Sequence, residues 1–135
     1  MFADELDEKW ISWDFDNTLY DWSSRSINSE LFKIFEKQRK EGKNVCIVTL
    51  RTLEECPEVR YHFPDIRIFY TAGHDKVRYL LYKIPINIVE HYDDRLDTCL
   101  GLIGSRIKPV WVFSSNDQKK FDKLTKIYFN SGNDC

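Results

Sequence analysis

The strongest constraint on the fold is an alternation of short apolar runs with longer amphipathic ones. Five short runs have the length and composition of β-strands: Trp10 to Asp14, Val45 to Leu50, Ile66 to Tyr70, Ile86 to Tyr92 and Pro109 to Phe113. The second run is almost entirely apolar, as expected of a strand covered on both faces. Strands joined by helical crossovers run parallel, so the pattern predicts an α/β fold with a five-stranded, mostly parallel sheet and helices on both faces.

The segments between these strands have the spacing of amphipathic helices. The first helix is predicted from about Ser29 to Gly42, with basic residues near its negative end. A second begins at the Thr52/Glu55 capping box, and Pro57 limits its length. Apolar residues at helical spacing predict two more helices and a last one from about Ser115: Val77, Leu80, Leu81 and Ile84; Leu96, Leu100 and Ile103; Phe121, Leu124 and Tyr128.

Length and composition fit one domain over residues 1–135. Hydrophobic residues make up 42% of the chain and aromatic residues 15%, which is enough for a core. The net charge of -2 provides no overall attraction to nucleic acid or to a membrane surface. No apolar run approaches the roughly 18 residues of a membrane span, and the acidic start does not resemble a signal peptide. We therefore expect an intracellular, cytoplasmic protein without membrane partners.

The four cysteines are too far apart for a redox pair or a structural zinc site. They are separated by 10, 43 and 36 positions. We expect reduced thiols at Cys46, Cys56, Cys99 and Cys135, with Cys46 in the core because it lies within the apolar second strand.

Polar residues follow the carboxyl ends of four predicted strands, where ligands bind in open parallel sheets. In chain order they are Asp14 and Asp16, then Thr49 and Arg51, then Lys76, then Asp93 and Asp94, with Asp97 nearby. Crowded carboxylates repel one another unless a cation lies among them, and an all-oxygen set suits Mg²⁺. A metal, a lysine for an anion and a spare carboxylate for nucleophilic attack are the components of phosphoryl transfer.

Asp14-x-Asp16-x-Thr18, a hydroxyl after an apolar strand, a lysine and an aspartate pair occur in that order. This order resembles the haloacid dehalogenase-like (HAD) phosphatases, and the resemblance extends from about Trp10 to Phe113. It implies a Rossmann-like HAD domain with Asp14 as nucleophile. Asp16 would be the general acid and base, and its backbone carbonyl would bind Mg²⁺. Thr49 and Lys76 would hold the transferred phosphoryl group.

The same resemblance assigns the remaining site residues. Asp94 would be the downstream metal ligand, supported by Asp93 or Asp97, and Arg51 and Asn17 are the further candidates for contacting the substrate. Lys76 is preferred to Lys83, which lies near the far end of the same predicted helix.

An acid at position 16 favours a phosphatase within the family, because the dehalogenase branch lacks it and the ATPase branch has threonine there. Asp93-Asp94-Arg95 and Thr49-Leu50-Arg51 are also similar to the 3'-phosphatase domain of polynucleotide kinase/phosphatases, although Leu50 replaces a glycine. The implied substrates are nucleotides or phosphorylated nucleic-acid ends.

Short segments from Asp16 to Thr49 and from Thr49 to Lys76 leave no room for a cap domain. Capless members act on extended substrates or close their site with a neighbouring subunit, so a homo-oligomer is a further expectation.

Other interpretations are open to different degrees. A calcium-binding EF-hand loop beginning at Asp14 would need Gly and Glu where Leu19 and Arg25 stand, and a receiver domain would have its lysine after the acidic pair. A non-catalytic phosphate- and metal-binding module is the alternative to an enzyme.

Three features each have a structural interpretation as well as a functional one. They are the aromatic pair Tyr20 and Trp22, which could stack on a base, the histidines His62, His74 and His91, and the basic residues between Arg106 and Lys126.

Overall fold

A computed structural model describes residues 8–112 of the chain. They form a five-stranded sheet in which every neighbouring pair of strands is parallel. The strands are β1 (Lys9–Trp13), β4 (Asn44–Thr49), β5 (Arg67–Tyr70), β6 (Asn87–Asp93) and β7 (Lys108–Trp111), in the spatial order β5-β4-β1-β6-β7. The predicted α/β sheet is therefore confirmed, with each strand within a few residues of its expected position.

Helical segments connect these strands. They are α1 (Ser29–Lys40), a 3₁₀ turn (Leu53–Glu55) leading into α2 (Cys56–His62), α3 (Lys76–Arg78) leading into a π-helical turn (Tyr79–Lys83), and α4 (Leu96–Leu102). The Asn28 side chain caps α1 by accepting a hydrogen bond from the Leu31 amide, and the predicted capping box of Thr52 and Glu55 is present. Pro57 lies in the first turn of α2, where its missing N–H removes no helical hydrogen bond. The helix predicted from Ser115 lies outside the described residues.

The third helix differs most from its prediction. A regular α-helix was expected through Ile84, but the amide of Ile84 bonds to the Tyr79 carbonyl at 2.9 Å, which is π-helical spacing. Leu80 is fully buried within this wider turn. Lys76 remains at the start of the helix, so the irregularity does not move it away from the sheet edge.

Both faces of the sheet are covered, as the apolar second strand predicts. On β4, Val45 and Ile47 belong to one apolar cluster while Cys46 and Val48 belong to the other. The first cluster packs against α1 and α2, and the second packs against the helical segments that follow β5 and β6. Alternating strand residues point to opposite faces, so a sequence of consecutive apolar residues satisfies two helical layers.

A small antiparallel hairpin, β2 (Tyr20–Asp21) and β3 (Ser26–Ile27), follows β1 and was not predicted from the sequence. Tyr20 packs on Phe15 with ring centroids 5.2 Å apart, so the hairpin is attached to the core beside the carboxyl end of β1. Within residues 8–112, no helix has the length and apolar character needed to cross a bilayer.

Candidate functional site

Asp14 lies immediately after β1 with both carboxylate oxygens held in place. Its amide donates to the Tyr92 carbonyl of β6 at 2.8 Å, which fixes the backbone between the two central strands. Thr18 Oγ1 donates to Asp14 Oδ2 at 3.0 Å, and Lys76 Nζ donates to Oδ1 at 2.7 Å. The Asp14 side chain is only 7% exposed. A carboxylate oriented in this way is positioned rather than freely rotating.

Lys76 is buried between two carboxylates. Its Nζ donates to Asp14 at 2.7 Å and to Asp93 Oδ2 at 2.9 Å. Burial alone would lower the pKa of Lys76, but the two carboxylates outweigh burial and raise it, so the ammonium stays charged. Lys83, the rejected alternative, is exposed at the other end of the π-helical turn. Lys76 therefore contacts Asp14 and Asp93, whereas Lys83 lies on the surface.

Asp93 ends β6 with its carboxylate fully buried in a hydrogen-bonded chain. His91 Nε2 lies 2.8 Å from Asp93 Oδ2, Ser12 Oγ lies 2.6 Å from His91 Nδ1, and the Arg95 amide donates to Asp93 Oδ1 at 3.0 Å. Burial acts to raise the pKa of Asp93, but Lys76 and His91 hold it well below its usual range. Asp93 therefore remains ionised and fixes the position of the Lys76 ammonium.

Asp94 completes a group of three carboxylates. One oxygen from each of Asp14, Asp93 and Asp94 can be chosen so that all three lie within 4.8 Å of one another. Burial, opposed by Lys76, raises the pKa of Asp14 to about 7, and burial is also the main cause of a raised pKa at Asp94. In this group three acids face one ammonium, so full ionisation leaves an excess of negative charge. A hard divalent cation bound by oxygen would balance it, and this donor set fits such an ion.

Asp16 does not face this group in the same way; it is bound by Arg51. Arg51 Nε and Nη2 donate to the Asp16 carboxylate at 2.9 Å and 2.7 Å, and Nη1 donates to Glu58 Oε2 at 2.6 Å. The Trp22 indole N–H donates to Asp16 Oδ1 at 2.9 Å. The hydrogen bonds that Arg51 donates to Asp16, and to a lesser extent the one to Glu58, raise the pKa of Arg51, so it is a permanent cation.

The remaining predicted site residues, Thr49, Asn17 and Asp97, lie in three different environments. Thr49 is fully buried at the last position of β4, where its Oγ1 accepts from the Arg51 amide at 3.3 Å. Asn17 is exposed in a turn with φ 59°, and its amide donates to the Tyr20 carbonyl. Asp97 pairs with Arg95 on the surface and is not part of the group of three carboxylates.

A cavity of about 430 Å³ opens beside Lys76, between the turn at Gly73 and the start of α4. Its lining includes Lys76, His74 and Arg95, but none of Asp14, Asp93 or Asp94. It therefore adjoins the group of three carboxylates only through Lys76.

The sequence interpretation missed several partners of this site. His91 is a fully buried imidazole, in line with its structural interpretation as a surface or core residue, but its contact with Asp93 was not predicted. Its position two residues before Asp93 on one strand, hence on the same face, was an available signal. Thr18 and Glu58 had no assigned role, and Trp22 was considered for stacking rather than as a donor to Asp16. A spacing of 35 positions between Asp16 and Arg51 carries no local signal.

Two further sequence interpretations concern the cysteines and the basic residues. Cys46 lies in the core as predicted, and burial raises the pKa of its thiol to about 12. The three described cysteines, Cys46, Cys56 and Cys99, are free thiols. Most of the basic residues between Arg106 and Lys126 lie outside the described part of the chain.

No family model matches the chain, and neither the curated proteins nor the solved structures compared with it include a significant match.

Proposed function

We propose that this chain is a magnesium-dependent phosphomonoester hydrolase of the HAD type, acting through an aspartyl phosphate at Asp14. One observation carries the proposal: a buried Asp14 carboxylate is aligned by Thr18 and Lys76 beside two further carboxylates. The order of the motifs along the sequence supports the same conclusion.

The proposed reaction uses these residues in two steps. Asp14 attacks the phosphorus atom, the bond to the ester oxygen breaks, and that oxygen takes a proton from Asp16. Asp16 then accepts a proton from the water that hydrolyses the aspartyl phosphate. Lys76 and Thr49 bind the oxygens of the transferred group, and Asp93 and His91 keep the Lys76 ammonium in place.

Mg²⁺ would be held by Asp14, Asp94 and the backbone carbonyl of Asp16, with Asp93 in support. When bound, it neutralises negative charge on the phosphoryl oxygens. Asp97 is a weaker candidate for this support, because it lies on the surface paired with Arg95.

An open site supports phosphorylated nucleic-acid ends or nucleotides as the proposed substrates. Only a short hairpin and α1 separate β1 from β4, and only short helical turns separate β4 from β5. These segments provide no separate lid domain within residues 8–112, which supports a capless architecture. Closure by a second copy of the chain is the corresponding proposal for an oligomer.

A second candidate function is a non-catalytic module that binds phosphate and metal. The pairing of Asp16 with Arg51 and Trp22 favours it, because these hydrogen bonds occupy the carboxylate oxygens that a general acid would use on the leaving group. The two candidates share the binding residues and differ in turnover.

Hydrolysis of p-nitrophenyl phosphate with and without Mg²⁺ tests the proposal. We expect Mg²⁺-dependent turnover that is abolished by EDTA and by Asp14→Asn, with Asp21→Asn in the adjacent hairpin as the matched control. Activity that survives both EDTA and Asp14→Asn would refute the mechanism. Absence of turnover, together with phosphate binding by calorimetry and no beryllofluoride adduct at Asp14, would establish the binding module instead. A panel of 3'-phosphorylated oligonucleotides, mononucleotides and sugar phosphates then separates the substrate classes.

A further inference from the structure

Arg51 connects two acidic side chains that belong to different parts of the fold. Its side chain is only 8% exposed, and it uses Nε and Nη2 on Asp16 and Nη1 on Glu58. The Arg51 Cζ atom lies 5.1 Å from the Phe15 ring centroid and 5.7 Å from that of Trp22. The guanidinium is thus enclosed by two rings and two carboxylates, and it has little freedom to reach solvent.

This arrangement matters because Asp16 must leave it to act. A general acid touches the leaving oxygen, whereas the Asp16 carboxylate is held by hydrogen bonds from Arg51 and Trp22. If Asp16 left a guanidinium that had no other acidic partner, a nearly buried cation would remain unpaired, which is strongly unfavourable. The bond of 2.6 Å to Glu58 means that Arg51 retains an anionic partner when Asp16 departs.

We propose that Glu58 is a positioning residue for the reaction: by holding Arg51, it lets Asp16 move between its ion pair and the leaving group. The inference rests on the proposed function. Glu58 acts through Arg51 and does not touch the phosphate. Its side chain is 43% exposed at the start of α2, so it can be replaced without opening the core. When Glu58 loses its charge, Arg51 holds Asp16 more firmly, and protonation of the leaving group by Asp16 slows.

The expected signature depends on the leaving group. Departure of p-nitrophenolate requires little protonation, whereas departure of an alkoxide from glycerol 2-phosphate requires a general acid. We expect Glu58→Gln to lower kcat on glycerol 2-phosphate by about 10-fold more than on p-nitrophenyl phosphate, with KM changed by less than about 2-fold on either. Glu58→Asp, which keeps the charge, should recover part of the loss.

The experiment compares wild type, Glu58→Gln, Glu58→Asp and the control Glu54→Gln on both substrates in Mg²⁺. Glu54 is exposed one turn earlier and should leave both rates unchanged. Thermal melting of each variant verifies that it is folded. Equal loss on the two substrates, or a Glu58→Gln variant that matches Glu54→Gln, overturns the role of Glu58 while the proposed function stands. A wild-type protein that hydrolyses neither substrate overturns the proposed function and this inference together.

Discussion

Replacing Lys76 by methionine removes the ammonium that lies between Asp14 and Asp93 while keeping a side chain of similar length. The Nζ atom lies 2.7 Å and 2.9 Å from the two carboxylates, and the lysine side chain is only 2% exposed. Removing one partner of a buried ion pair leaves uncompensated buried charge, which costs about 3 to 5 kcal/mol. We expect a loss of that size in the free energy of unfolding at alkaline pH, in protein freed of divalent ions.

The pH dependence identifies the cause. The pKa of Asp14 is raised to about 7 in the wild type, against about 3.9 in an unfolded chain. An acid whose pKa is higher in the folded state contributes stability that is lost as pH rises between those two values. In the wild type, the loss of stability caused by ionisation of Asp14 should therefore level off above about pH 7. Without Lys76 the pKa of Asp14 rises further, so the variant should continue to lose stability to higher pH.

Urea unfolding of the variants followed by tryptophan fluorescence at pH 6 and pH 8.5 in EDTA measures this. Lys83→Met, at the exposed end of the same segment, is the control and should change stability by less than about 0.5 kcal/mol. The double variant Lys76→Met/Asp93→Asn should recover part of the loss, because one unpaired charge has been removed. A loss below about 1 kcal/mol, or one that is the same at both pH values and undiminished in the double variant, would refute the reasoning.

Two further predictions concern the same group of acids and the packing beneath it. Asp14→Asn should make the metal-free protein more stable than wild type by about 1 to 3 kcal/mol at pH 8, because the buried charge is gone. This gain should vanish below about pH 4. Urea unfolding of both proteins between about pH 4 and pH 8 measures it, and a stability difference that does not change with pH would contradict the prediction. A Cβ atom on Gly101 would lie 2.8 Å from Val77 Cγ2, so Gly101→Ala should destabilise by about 1 to 3 kcal/mol. In a Val77→Ala background the same change should become neutral or stabilising in thermal melts, since alanine favours helix over glycine. An equal loss in both backgrounds would contradict the steric explanation.

The strands and most helices could be predicted because their signals are local. On β4 a run of consecutive apolar residues indicates burial on both faces, and the capping box of Thr52 and Glu55 indicates a helical start. The π-helical turn and the hairpin after β1 were not predicted. Both depend on packing against the core, as the contact of Tyr20 with Phe15 shows, rather than on periodicity.

The amino-acid sequence by itself determined which residues reach the carboxyl edge of the sheet. Asp14, Thr49, Lys76 and Asp93 each follow or end a recognisable strand or begin the helix after it, and parallel strands bring such ends together. Only the tertiary structure decided how these side chains pair. It placed Lys76 between Asp14 and Asp93, aligned His91 and Ser12 behind them, and joined Asp16 to Arg51 and Glu58. The physical reason is that sequence spacing orders residues along an edge, whereas pairing depends on rotamers and burial set by contacts between distant segments.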